Sequence, residues 1–241
     1  MVMQLPLVDS ELHLVFVTLD GEGDYSTMLS EEEQQRASRF VRPQHGARFR
    51  LAHAALRHVL GLALDTPAAQ LAFQNETTGK PMLPAWPDIG FNLSHAEDLA
   101  LIALGRGTRV GVDIEHSQRG CDWLGIAESF FSLAERKLIT AAEDSGACFL
   151  RLWTAKEAVL KAIGSGLSAL ESVEMTLDSE DRPRLHSVKH LAWRLHTLTV
   201  AGNHPAALAY DGPPRTIRTW RLHHTTNAFH LIEEKIDVHT A

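Results

Sequence analysis

"AHAALRHVLG" (52–61) and "AKEAVLKAIG" (155–164) align without a gap, and the pattern they share sets the fold. Each places apolar residues three and four apart, the helical period. Each ends in a glycine expected to stop its helix in the left-handed conformation. Ser30 with Glu33, and Ser132 with Glu135, stand upstream of the two stretches at matching distances. Both read as S-x-x-E capping boxes, in which serine and glutamate satisfy the free N–H groups of a helix start.

Working outward, the same order of elements occurs twice. An extended segment at 12–19 leads to helices near 30–41 and 45–60 and then to strand-like runs at 71–75, 89–94 and 99–104. A second extended segment, 108–115, leads to helices near 133–143 and 147–163 and to strand-like runs at 173–178, 192–200 and 206–210. The expectation is an α+β fold of two pseudo-symmetric subdomains, 1–107 and 108–241, joined at the "GRGT" turn with a ligand cleft between them.

The two copies differ where it matters for chemistry. Arg151, Thr154, Glu157 and Lys161 fall on one helical stripe, whereas the first copy carries Ala54 and His58 in the places of Glu157 and Lys161. Taken alone, Glu157 and Lys161 read as a solvated ion pair four residues apart. Their absence from the first copy assigns any chemistry to the second half.

The chain has 241 residues, 44% of them apolar, and a net charge of −7, with a pI near 6.0. That supports a sizeable core and argues against general nucleic-acid binding, which needs a basic surface. Arg36, Arg39, Arg42, Arg48, Arg50 and Arg57 nevertheless crowd one stretch and leave room for a local anion site. Cys121 and Cys148 are too few for a disulfide scaffold and read as reduced thiols of a cytoplasmic protein. No basic and apolar leader opens the sequence and no apolar run is long enough to span a bilayer. The 14 histidines lack metal-ligand spacing.

Three short motifs remain. In "GVDIE" the strand period puts Asp113 and Glu115 on one face and Val112 and Ile114 on the other; the carboxylates are either solvated or bridged by a hard cation such as Mg²⁺. In "FNLSH" (91–95), Asn92 and Ser94 alternate with Phe91 and Leu93, and His95 at the end either packs or donates to a phosphate. "TTGKPML" (77–83) is a Gly-Lys-Pro turn whose Lys80 meets phosphate or solvent.

In order and spacing, "GKP", "FNLSH", "GVDIE", "FFSLAE" and "WTAKEAVLKAIGSGL" together resemble the 4'-phosphopantetheinyl transferase superfamily, in its larger, Sfp-like type, over about residues 30–168. The resemblance implies an enzyme that moves the phosphopantetheine arm of coenzyme A onto a serine of an apo acyl or peptidyl carrier protein, releasing adenosine 3',5'-bisphosphate. It implies Mg²⁺, with Mn²⁺ able to replace it, on Asp113, Glu115 and Glu157, and catalysis by Glu157 as base with Lys161 beside it. It places coenzyme A against Arg36, Arg48, Lys80, Pro81, Ser94, His95, Asp113, Lys156 and Lys161. Lys156 ranks below Lys161, because helix geometry turns it about 100° away from Glu157. Trp153 reads as packing and Glu135 as a capping residue. Glu33 stands where a family basic residue sometimes occurs, with Arg39 or Arg42 as substitutes at the 3'-phosphate. Two other readings use the same residues: a Mg²⁺-dependent coenzyme A diphosphate hydrolase, and a non-catalytic module binding carrier protein or coenzyme A. A cytoplasmic monomer serving fatty-acid, polyketide or peptide synthesis is expected, with no membrane or nucleic-acid partner.

Overall fold

The computed structural model describes residues 4–21, 23–118, 120, 122–188, 193–200, 203–226 and 228–240. In chain order the elements are β1 (Glu11–Thr18), α1 (Glu31–Ser38), α2 (Pro43–Leu64), β2 (Gln74–Asn75), β3 (Pro81–Met82), β4 (Ile89–Ala96), β5 (Leu99–Arg106), β6 (Val110–Ile114), α3 (Trp123–Phe130), α4 (Leu133–Ala141), α5 (Ser145–Ile163), β7 (Val173–Leu177), β8 (Pro183–Val188), β9 (Trp193–Val200), β10 (His204–Asp211), β11 (Thr216–His224), β12 (Phe229–Glu233) and β13 (Val238–Thr240). Helices and strands mix throughout, the expected α+β class.

One sheet has the order β12-β11-β1-β5-β4 and another the order β13-β9-β10-β6. Within them β1-β5-β4 and β6-β10-β9 have the same connectivity: a strand, a helical stretch, then an antiparallel pair whose second strand returns beside the first.

Strand alternation builds three cores. Val15, Val17, Ala100 and Ile102 point to α2, while Leu12, Leu14, Leu101 and Ala103 point the other way. There they meet Val110, Val112, Ile114 and Leu208 of the second sheet. Ala207 and Ala209 turn from that shared core towards α5, which buries Leu152, Ala155, Val159 and Ala162. The helices therefore lie outside, with the apolar faces of two sheets between them.

The second unit does not keep 108–241 to itself. β11 lies parallel to β1, from Glu11 opposite Thr216 to Val17 opposite Leu222, and β12 extends the same sheet. Residues 216–233 thus complete the first sheet, while β13 returns to the second. Gly61 also differs from expectation: α2 runs on to Leu64, and Asp65 takes the left-handed position at φ 49°. Gly164 does end α5, at φ 82°. The run at 71–75 forms strand only at Gln74–Asn75, and α3 precedes the two helices expected in the second half. Cys148 is a buried free thiol, and Cys121 lies outside the described residues. Among the described residues no helix is long and apolar enough to cross a membrane.

Candidate active site

The seam between β4, at the edge of the first sheet, and β6, at the edge of the second, gathers the polar residues. Asn92 Oδ1 accepts the Val112 N–H at 2.9 Å, tying the two edges together. On β6 the apolar residues Val110, Val112 and Ile114 face the shared core, so Gly111 and Asp113 face α5. Gly111 is what lets the helix lie there: a Cβ at that position would sit 2.1 Å from the Ala158 carbonyl oxygen and 2.2 Å from the Ala162 nitrogen.

That close approach brings Lys161 onto Asp113. The Lys161 ammonium donates to Asp113 Oδ1 at 2.5 Å and to Ser94 Oγ at 3.0 Å, and the Ser94 hydroxyl donates to the same carboxylate oxygen at 2.8 Å. Asp113 is 4% exposed, and its second oxygen, Oδ2, is buried without a hydrogen-bond partner among the described residues. A buried carboxylate oxygen left unmatched is costly, and it is the kind of atom a hard cation takes as ligand. Glu115 follows just beyond β6, largely buried at 9% exposure, with its N–H on the Pro205 carbonyl at 3.0 Å. Glu157 is half-buried on α5, one turn before Lys161. Among the described residues no three His, Cys, Asp or Glu side chains already form a metal cage. Mg²⁺ commonly uses one or two carboxylates and completes its shell with water and substrate phosphate, so the orphaned Asp113 oxygen fits such an ion.

Beside the seam lies a cavity of about 790 Å³ whose lining includes Arg36, Phe49, His53, Gly79, Pro81 and Asn92. The Arg36 guanidinium sits 5.1 Å from the centre of the Phe49 ring, and His53 stacks on the same ring at 4.0 Å. Glu33, on the wall, binds His53 Nδ1 at 3.0 Å and Arg57 Nε at 2.7 Å. Burial alone would raise the Glu33 carboxyl, but hydrogen bonds from His53 and the Ser30 N–H, with the charge of Arg57, bring it down to about 2. A smaller pocket of about 240 Å³ is lined by Phe40, His45, Arg48, His95 and Glu97. Arg48 is paired there with Glu97 at 2.9 Å and Asp20 at 3.4 Å. His95 keeps contact with solvent, yet partial burial of its ring, then His53, Lys161 and Arg36, lowers its pKa.

The sequence-derived candidates therefore separate by location. Ser94, Asp113 and Lys161 meet directly, Arg36 and Pro81 line the large cavity, and Arg48 and His95 line the small one.

Two lysines are elsewhere. Lys156 is corrected from a ligand contact to a core residue: it is 1% exposed, and its ammonium donates to both oxygens of Glu135, at 2.9 and 2.8 Å. Lys80 is turned inward, its ammonium on the carbonyls of Val110 at 2.6 Å and Lys161 at 2.5 Å. Burial, then the charge of Arg109, lowers its pKa to about 8. Thr154 also leaves the polar stripe, buried with its hydroxyl on the Leu150 carbonyl at 2.6 Å.

Both capping boxes form, and each glutamate has a second task. Glu33 reaches His53 on α2 as Glu135 reaches Lys156 on α5. His53 and Lys156 occupy matching places in the two aligned stretches, a parallel that the capping motif alone did not reveal. Trp153 packs as expected, stacked on Phe149 at 5.9 Å and on Phe131 at 6.4 Å.

Comparison with known proteins bears on most of the chain. A sequence model of the 4'-phosphopantetheinyl transferase superfamily matches residues 109–209, and one of the 4'-phosphopantetheinyl transferase N-terminal region matches residues 24–106. The chain is 36% identical to the 4'-phosphopantetheinyl transferase HetI of Nostoc sp. over 217 residues, 86% of this chain and 91% of that protein. It is 35% identical to the transferase psf-1 of Bacillus pumilus over 68% of this chain and 70% of that one. With the transferase Sfp of Bacillus subtilis it shares 28% identity over 65% of this chain and 70% of that one. The chain is thus a transferase enzyme, and it belongs to the 4'-phosphopantetheinyl transferase superfamily, in its Sfp-like type.

Proposed function

We propose that the enzyme transfers the 4'-phosphopantetheine arm of coenzyme A to a serine hydroxyl of an apo acyl or peptidyl carrier protein and releases adenosine 3',5'-bisphosphate. The observation that carries this reading is Asp113: one oxygen fixed by Ser94 and Lys161, the other buried and unmatched, at the seam beside a cavity large enough for a nucleotide.

Mg²⁺, or Mn²⁺ in its place, would be held by Asp113, Glu115 and Glu157 and supplies positive charge against the diphosphate. The serine oxygen attacks the phosphorus that bears the pantetheine arm, and the bond to the bridging diphosphate oxygen breaks. Glu157, directly or through one water, takes the serine proton. Lys161 adds a second positive charge at the same diphosphate and orients Asp113 through their direct bond. Arg36 and Arg48 receive the 3'-phosphate, a role for which planar guanidinium groups are suited, and His95 borders the adenine and phosphate end. Ser94 orients Asp113, and Pro81 borders the adenine end. The chain acts as a monomer in the cytoplasm.

The test follows release of adenosine 3',5'-bisphosphate from coenzyme A and Mg²⁺ with and without apo-carrier. Release that requires carrier supports transfer; equal release without it would make the enzyme a hydrolase. Glu157→Gln should stop release while coenzyme A binding, read by calorimetry, persists, and undiminished turnover would remove Glu157 as base.

A further inference from the structure

We infer that Lys80 is a positioning residue: it clasps the C-terminal end of α5 to the first half and so sets where Lys161 stands. The inference rests on the transfer reading above for its effect on catalysis, and on geometry alone for the clasp.

The last carbonyls of a helix lack partners within it and attract cations. In α5 these are taken by side chains from outside. Lys80 holds the Lys161 carbonyl, together with that of Val110 on β6. Arg109 holds the next two, Ala162 through Nε at 3.1 Å and Ile163 through Nη2 at 3.0 Å, and also pairs with Glu76 at 3.0 Å. Lys80 and Glu76 belong to the turn between β2 and β3, closed by the Gly79 N–H on the Glu76 carbonyl and the Glu76 N–H on the Lys80 carbonyl, both at 2.8 Å.

The turn rests on the helix end itself. Gly164 has φ 82°, and a Cβ there would lie 3.1 Å from both Arg109 Nη2 and Thr78 Oγ1. Gly79 and Pro81, on either side of Lys80, line the large cavity. One short segment therefore borders the cavity with two residues and grips the Lys161 turn with the residue between them.

Lys80→Met keeps the apolar stem and removes the two bonds. In the otherwise native full-length enzyme, kcat/KM for coenzyme A should fall about tenfold or more, the scale of a small misplacement of a reacting group. In a Lys161→Met background the same change should have little further effect, because residues that act through one another are not additive. Equal losses in both backgrounds, or no loss in either, would overturn the inference. Arg109→Lys, which keeps charge but loses the fork, should show the same dependence on Lys161 and provides a second test should Lys80→Met fail to fold. Amide hydrogen exchange over residues 157–165 reads the clasp without reference to transfer: it should quicken in both variants, and unchanged exchange overturns the clasp whether or not the enzyme transfers anything.

Discussion

Replacing Lys156 by methionine removes an ammonium from a fully enclosed ion pair. Lys156 is 1% exposed and Glu135 is 0% exposed, and the ammonium also lies 4.6 Å from the centre of the Phe131 ring. Methionine keeps most of the volume, so no large cavity opens. The carboxylate left behind keeps two N–H donors, from Met175 at 2.9 Å and Ser132 at 2.8 Å, but no positive charge. Breaking a buried pair from one side costs about 3–5 kcal/mol; with those two donors retained the lower end applies, about 3 kcal/mol. Urea unfolding should show that loss in Lys156→Met and a smaller one in the double variant with Glu135→Gln, where the stranded charge is gone. KM for coenzyme A should stay at the wild-type value at temperatures where the variant is folded. Wild-type stability combined with a raised KM would refute the reasoning, because Lys156 would then be serving the ligand.

Acid stability and the α5 packing supply two further expectations. His196 is 7% exposed, stacks on Tyr210 at 5.6 Å and has neither ring nitrogen paired among the described residues; burial, then Arg194, lowers its pKa to about 4. The unfolded chain, with histidine near 6.5, binds more protons between those values, so stability should fall as pH drops from about 6.5 to 4, by about 3 kcal/mol. His196→Phe keeps the stack and should remove most of that slope in urea midpoints taken against pH; an unchanged slope would assign it to other groups. Gly111→Ala drives a Cβ into the α5 backbone and should cost about 1–3 kcal/mol by overpacking, with transfer lost as Lys161 leaves Asp113. A variant with wild-type urea midpoint and activity would contradict the close approach of α5 to β6.

Local signals in the sequence were readable and non-local ones were not. The alternation in "GVDIE" puts Asp113 opposite Val112 and Ile114 because strand period needs no knowledge of neighbours. The two capping boxes were equally local. Helix geometry turned Lys156 away from Glu157, but its destination, Glu135 on α4 with Phe131 beside it, depended on how two helices pack. Lys80 read as a turn lysine open to phosphate or solvent, since nothing in "TTGKPML" reveals that the end of α5 lies against it. The chemistry of Gly61 alone points to a helix stop, whereas α2 extends another turn and Asp65 accepts the left-handed conformation. The return of β11 to pair with β1 joins residues about 200 positions apart, a distance at which periodicity carries no information.

The most direct measurement is the intact mass of a purified apo-carrier protein after incubation with this enzyme, coenzyme A and Mg²⁺, run beside Asp113→Asn and Glu157→Gln. The expected result is one phosphopantetheine arm added at the carrier serine by the wild-type enzyme and none by either variant. A carrier unchanged by the wild-type enzyme across acyl and peptidyl carriers, or modified equally by all three proteins, would contradict the assignment of transfer chemistry to the Asp113 and Glu157 seam.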